Sequence, residues 1–164
     1  MFCPQCGLPK FDQYQNNEYR CGGCEFTYFH NVAAAVSVII RCDDEILLIT
    51  RAQKPGLGML DLPGGFVDPN ESLEQALFRE LKEELNIDVD SANYLYSFPN
   101  QYLYKKINYF TLDNCFEIRL EHKPRINLEA REISDYCWLK LSNIEPDRLA
   151  FESTRLAVKR YVFA

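Results

Sequence analysis

The chain predicts an α/β (α+β) sandwich built on a mixed β-sheet and preceded by a small metal-stapled ribbon. Three observations predict this. Apolar, β-branched runs flank one strongly amphipathic helical stretch and a second such stretch closes the chain, giving the order strands, helix, strands, helix. Two Cys-x-x-Cys pairs, Cys3/Cys6 and Cys21/Cys24, sit in a polar N-terminal segment with too few apolar residues for a core of its own. At 164 residues, 47% hydrophobic and 26% charged, the chain has the size for one main domain and an appendage, divided here as residues 32–164 and 1–31.

In the first segment, Gly7, Gly22 and Gly23 stand beside the cysteines, and a polar stretch separates the two pairs. This is the spacing by which four thiolates close a tetrahedral Zn²⁺ site. A redox Cys-x-x-Cys would open a helix in a thioredoxin-like unit, which Gly22-Gly23 fits poorly. A closed ligand set adds folding free energy to a segment without a core, so the role expected for zinc is structural. The remaining cysteines, Cys42, Cys115 and Cys137, lie in strand-like contexts and read as buried small hydrophobes, and the odd total of 7 argues against a disulfide framework.

The main domain begins with a strand pair, Val32 to Ile40 and Ile46 to Ile49, joined at Cys42-Asp43-Asp44. Pro55, Gly56 and Gly58 mark an irregular loop, after which Asp61 to Val67 reads as strand, tight glycine turn, strand. A helix follows, with Asn70 or Ser72 as cap, Leu73, Leu77, Leu81 and Leu85 as its apolar stripe and Asn86 as its left-handed stop. Tyr94 to Tyr104, Asn108 to Leu120 and Tyr136 to Leu139 read as strands. The tail from Pro146 to Val162 reads as a closing amphipathic helix with Leu149, Phe151, Leu156, Ala157 and Tyr161 on its apolar face.

The first helix carries the chemistry. At about 100° per residue, Glu80 and Glu84 lie along the edge of the leucine stripe and Glu83 just beyond it. Surface acids normally sit opposite such a stripe. Three crowded against it incur desolvation and mutual repulsion unless a cation compensates them. Glu80 and Glu84 are one turn apart, a spacing at which two carboxylates can share a hard divalent ion, and Arg79 is placed one turn before Glu83 and can orient it. From these residues alone a solvated acidic turn remains an equal alternative.

Gly65, Glu71, Arg79-Glu80-Leu81, Glu83-Glu84 and Ile87 together resemble the Nudix box, departing from it only at Asn86, where the family has Gly. Asn tolerates the same left-handed backbone. The lead-in from Asp61 to Asp68, the opening strands with Arg51, and Trp138 with Leu141 extend the resemblance over roughly Val32 to Ala164. It implies a Nudix-type α/β/α sandwich that hydrolyses a phosphoanhydride with Mg²⁺ or Mn²⁺. Glu80 and Glu84 are the first expected ligands, and the Gly65 carbonyl is a further one. Glu83 is either a ligand or the group that activates water. Glu132, with Glu129 as its rival, resembles an additional family ligand. Glu80, Glu83 and Arg79 form the candidate catalytic group, although Glu71 and Arg79 are expected to hold loop and helix in register rather than touch substrate.

A zinc ribbon ahead of such a domain resembles the NADH pyrophosphatase branch of the family. The branch motif after the box survives only as Ser97-Phe98-Pro99, so the substrate class is read as nucleoside diphosphate-X compounds such as NADH or ADP-ribose. Arg51, Phe98 and Tyr102 are candidate substrate contacts, while aromatic residues in strands such as Phe98, Tyr102 and Tyr104 more often serve core or edge packing. The net charge of -6, with only Lys10 and Arg20 as cations from Phe2 to His30, disfavours nucleic acid and anionic membrane as partners. No apolar run reaches membrane-spanning length and no signal peptide is evident, so the expected compartment is the cytoplasm. A homodimer is compatible with the Tyr- and Phe-rich strands. Competing readings are a nucleoside triphosphate pyrophosphatase and a non-catalytic nucleotide sensor with a partner-binding ribbon.

Overall fold

A computed structural model describes residues 1–163; the side chains of Tyr102, a candidate substrate contact, and of Tyr104 lie outside the described residues. The chain divides into two units, Met1–Val32 and Ala33–Ala164. In the first, β1 (Phe11–Gln15), β2 (Glu18–Cys21) and β3 (Thr27–Phe29) form an antiparallel sheet in that order. Its buried residues are Cys3, Phe11 and Cys21, with Tyr19, Cys24 and Phe26 packed against them.

The second unit is a seven-stranded mixed sheet with a helix on each face. Its path is β10 (Ile133–Lys140), β5 (Glu45–Arg51), β4 (Ala33–Cys42), β9 (Ile107–Leu120) and β8 (Asn93–Tyr104). β6 (Leu60–Asp61) joins β5, and β7 (Gly64–Phe66) joins β4. β4 and β9 are parallel, and the other pairs are antiparallel. The central strands are apolar on both faces because both are covered. Val36, Val38, Ile40, Leu47 and Ile49 pack in one core with Leu77, Leu81 and Leu85 of α1 (Leu73–Leu85). The alternate residues Ile39, Ile46 and Leu48 pack in the other with Ala157 and Val158 of α2 (Glu152–Phe163). Each such aliphatic burial contributes about 1.5–3 kcal/mol. The result is an α/β/α sandwich.

Local signals set the ends of α1. Ser72 caps it in a reciprocal capping box with Gln75, and Asn86 ends it at φ 56°, ψ 39°. The β8–β9 hairpin turns through Lys105-Lys106, both at positive φ (47° and 67°), as a two-residue turn that follows the strand twist requires.

Two sequence expectations are corrected. Gly64-Gly65 is not a turn between paired strands: both glycines lie within β7, which pairs with β4, whereas β6 pairs with β5. The closing helix starts at Glu152, because the preceding chain spends its backbone bonds elsewhere. Pro146–Arg148 is a 3₁₀ turn, and Ala150 N–H donates to Leu60 O at 2.8 Å. Leu149 is buried as expected, but Leu156 is exposed.

Gly64 is required by close approach. Its φ is 142°, and a Cβ there would stand 2.1 Å from the Val36 carbonyl oxygen. Gly64→Ala therefore has to push β7 off β4, with an expected loss of roughly 3 kcal/mol or more. Thermal or urea unfolding checks this, and an unchanged midpoint would contradict the argument.

Candidate active site

The α1 acids occupy three different environments. Glu84 is only 5% exposed, and its Oε2 accepts the Gly64 N–H at 2.9 Å. Burial pushes its pKa well up; the Gly64 N–H opposes this, and the charges of Glu80, Glu132 and Asp61 add to it. Glu80 is half-buried and accepts from Arg79 Nη1 at 2.8 Å. Its pKa is also raised, by burial first, against the pull of Arg79. Glu83 leaves 60% of its side chain exposed and meets Arg79 Nη1 at 3.3 Å. Solvent faces it more than any pocket does.

Arg79 is a brace. Its Nε and Nη2 grip Glu71 at 2.7 and 2.9 Å, Nη2 also donates to Phe66 O at 3.0 Å, and Glu71 accepts the Asp68 N–H at 3.0 Å. Those bonds hold the Glu71 carboxyl below its ordinary range and tie the loop after β7 to the helix. Gly65 leaves room for the result: a Cβ there would meet Glu80 Oε1 at 2.4 Å.

Of these residues, Glu84, Gly64, Gly65 and Phe66 line a cleft of about 340 Å³. Its lining includes Glu84, Glu132 and Gly65 together with Arg51, Asp113 and Phe151. Glu132 is brought there by its loop. Ala52 N–H donates to Glu132 O at 2.8 Å, and Glu129 N–H donates to Glu84 O at 3.0 Å. The Glu129 carboxylate is instead engaged by Arg131, N–H at 3.2 Å and Nε at 3.3 Å. Of the two rivals, Glu132 faces the cleft and its charge acts on Glu80 and Glu84.

Arg51 stands in the wall, already held: Nη1 pairs with Asp61 Oδ2 at 3.0 Å, Nε donates to Pro55 O at 2.9 Å, and the guanidinium lies 4.8 Å from the centre of the Phe151 ring. Asp61 is buried and also accepts Thr154 Oγ1 and Leu62 N–H, each at 3.0 Å. Burial raises its pKa and Arg51 draws it back. Of the two readings of Phe98, substrate contact or packing, the structure places it in packing. It packs edge-on to Tyr96 at 5.4 Å in the α2-side core, while Asn100, two residues along the same strand face, lines the cleft. Sequence reasoning missed Asn100, Asp113, Phe151 and Thr154 as wall residues. The one signal available was an acid, Asp113, inside an otherwise β-forming run.

In the N-terminal unit, the four cysteine sulfurs lie within 4.8 Å of one another, with Cys3–Cys24 at 3.7 Å and Cys6–Cys21 at 3.6 Å. A tetrahedron with Zn–S bonds of about 2.3 Å has edges of roughly 3.8 Å, so the donor set fits that ion. The N–H groups of Cys24 and Gly23 hold the Cys21 thiol down at about 6. Among the described residues this is the one such cluster of three or more metal-type donors. The α1 acids are gathered more loosely, drawn to Arg79 and Gly64 instead. Their chemistry still fits a hard divalent cation: carboxylate oxygens one turn apart, desolvated and mutually repelling.

Comparison with known proteins agrees with this geometry. The family model for the NUDIX domain matches residues 30–159. An Edwardsiella ictaluri protein named NAD-capped RNA hydrolase NudC is 32% identical over 145 residues, covering 88% of this chain and 54% of that protein. The chain thus spans about half the length of that relative. A NUDIX hydrolase structure from Nitrosomonas europaea superposes at a TM-score of 0.63 and 26% identity, covering 99% of this chain and 90% of that one. The NUDIX domain of Shewanella oneidensis NrtR, solved with ADP ribose, superposes at 0.65 and 23% identity over 83% of this chain and 91% of its own.

Proposed function

Since this chain belongs to the Nudix family, we propose that it is a metal-dependent hydrolase of nucleoside diphosphate-X compounds, with NADH, ADP-ribose or a similar NAD-type molecule as substrate. The observation that carries the reading is the convergence of Glu80, Glu84 and Glu132 beside a cleft large enough for part of a nucleotide. Their charges act on one another, and Arg79 offsets only that of Glu80 directly.

Glu80, Glu84, Glu132 and the Gly65 carbonyl are the proposed holders of Mg²⁺ or Mn²⁺. When bound, such an ion neutralises the pyrophosphate and acidifies the attacking water. The chain's own residues supply the rest. The Gly64 N–H fixes one oxygen of Glu84, Arg79 sets the Glu80 carboxylate against Gly65, and Glu83, more exposed than Glu80 or Glu84, is the proposed acceptor of the water's proton. Arg51, held in line by Asp61 and Pro55, offers a fixed cation to the anionic substrate. In the ribbon, Cys3, Cys6, Cys21 and Cys24 are the proposed ligands of a structural Zn²⁺. None of the seven cysteines is in a disulfide, in keeping with the reducing cytoplasm to which this reading assigns the enzyme.

The test is incubation of the purified protein with Mg²⁺ or Mn²⁺ and a panel of NADH, NAD⁺, ADP-ribose, a diadenosine polyphosphate and nucleoside triphosphates, followed by chromatography of the products. Release of AMP from NADH or ADP-ribose, abolished by chelator, is the expected result. Metal-dependent cleavage of triphosphates alone would reassign it to triphosphate pyrophosphatases. Binding without cleavage of any compound would make it a sensor.

A further inference from the structure

Asp113 has no part in the chemistry proposed above, yet it is a strongly organised side chain on the cleft wall. Its Oδ1 accepts Thr111 Oγ1 and its Oδ2 accepts Ser153 Oγ, both at 2.5 Å. The two donors are themselves buried, Thr111 3% and Ser153 2% exposed. One comes from β9 and the other from the first turn of α2, so the carboxylate is clamped between a strand and a helix. Two hydroxyls bonded this way cannot turn to serve a ligand, but an ionised carboxylate has roughly four acceptor positions. Two remain for a ligand in the cleft. Among the described residues no Lys or Arg pairs with it, in contrast to Asp61, which meets Arg51 at 3.0 Å.

The sheet register fixes its place along the substrate. Ala35 of β4 pairs with Phe66 of β7 on one side and with Asp113 of β9 on the other. Asp113 is therefore two strand spacings, roughly 10 Å, from the glycine strand that abuts Glu80. A diphosphate with its ribose reaches across that interval. A clamped carboxylate without a cation suits a group that donates hydrogen bonds and repels one that carries phosphate. A vicinal ribose diol presents two donors to the two oxygens, as acidic residues do at nucleotide riboses elsewhere.

Resting on the hydrolase reading, we propose that Asp113 is the specificity-determining residue for the nucleoside end of the substrate: it binds the ribose diol and rejects a ribose bearing a 2′-phosphate. Thr111 and Ser153 are positioning residues.

The experiment compares kcat/KM for NADH and NADPH, and in parallel the calorimetric affinity for ADP-ribose and its 2′-phosphate in the presence of chelator, which needs no turnover. The native protein is expected to favour the unphosphorylated compound by about tenfold or more, the cost of a lost charge-assisted hydrogen bond. Asp113→Asn, with folding checked by thermal melting, brings the ratio towards one, chiefly through KM. Should Asp113→Asn fail to fold, Thr111→Val and Ser153→Ala are each expected to narrow the ratio partially. Equal use of NADH and NADPH by the native protein overturns the assignment and leaves the hydrolase reading standing. So does a preference that follows the adenine amino group, read with the hypoxanthine dinucleotide. No turnover with ADP-ribose still bound in preference to its 2′-phosphate ends the hydrolase reading and upholds Asp113.

Discussion

Glu84→Gln is expected to move activity and metal-free stability in opposite directions. Turnover should fall by roughly 10²–10⁴, the scale on which removing one metal-holding or charge-stabilising group from an active site acts. In chelator, the same variant should melt higher than the native protein. The reason is the environment of the carboxylate: it is buried and faces the charges of Glu80, Glu132 and Asp61, with one N–H, from Gly64, in partial compensation. Its folded pKa is therefore raised. Below the unfolded value, about 4.3, the group is protonated in both states and adds no penalty. As pH rises from there towards the folded pKa, the folded protein keeps a proton that the unfolded chain gives up, so stability declines, by about 1.4 kcal/mol for each pH unit climbed between the two values. Native protein in chelator should thus lose melting temperature between mildly acidic and neutral pH, by about 2–4 °C per kcal/mol in a chain of this size. Glu84→Gln should flatten that slope, since the amide oxygen can still accept the Gly64 N–H. Added Mg²⁺ or Mn²⁺ should stabilise the native protein by about 2.7 kcal/mol at a hundred times its Kd and the variant far less. Parallel pH–melting curves with and without metal check all three. Identical slopes for the two proteins would mean that Glu84 carries no such strain.

The contrast between the helix acids shows what a sequence can and cannot disclose. The limits of α1 were legible because they depend on neighbours in the chain: Asn70 or Ser72 as the cap, Asn86 in the left-handed region, leucines at helical spacing; the bond of Ser72 with Gln75 settles the cap. The crowding of Glu80 and Glu84 against the stripe was legible for the same reason, as was the pairing of β4 with β5. Gly64-Gly65 was visible as a motif, but its role was not. The need for glycine comes from the Val36 carbonyl and the Glu80 carboxylate, one on a strand far earlier and the other a turn and a helix later. Glu83, read as lying just beyond the edge that Glu80 and Glu84 share, stands about 100° of helix from Glu84, enough to leave it largely in solvent. Choosing Glu132 over Glu129 required knowing which of them Arg131 engages. Phe98 and Asn100 share a strand face, and only the lateral extent of α2 decides which is core and which is wall. Asp113 and Asp61 acquire their surroundings from Ser153 and Thr154, neighbouring residues of a helix whose start the sequence misplaced.

Removal of metal from the N-terminal unit is expected to unfold it. A unit whose strands have 5, 4 and 3 residues and whose buried residues are Cys3, Phe11 and Cys21 cannot offset the backbone entropy of its own ordering. Phe11 makes ring contacts with Tyr19 and Phe26 at 5.8 and 6.1 Å, but one aromatic cluster contributes only a few kcal/mol. Two of the three buried side chains are thiols of the cluster itself, so most of what passes for core is the proposed ligand set. Zinc held by four thiolates supplies about 10–16 kcal/mol in small domains of this kind, several times the aromatic contribution. A strong zinc chelator, or Cys21→Ser, should therefore abolish the ordered amide signals of Phe11–Phe29 in a proton–nitrogen spectrum. Zn²⁺ should restore them in the chelated native protein but not in the variant. The proposed ligand thiols must lose their protons, and the N–H groups of Cys24 and Gly23 already hold Cys21 down at about 6. Zinc retention should consequently fail as pH is lowered through the mildly acidic range, with release of the metal followed by a colorimetric chelator. Persistence of dispersed signals for this sheet after complete metal removal would show that its packing suffices alone and that the cysteines serve another purpose.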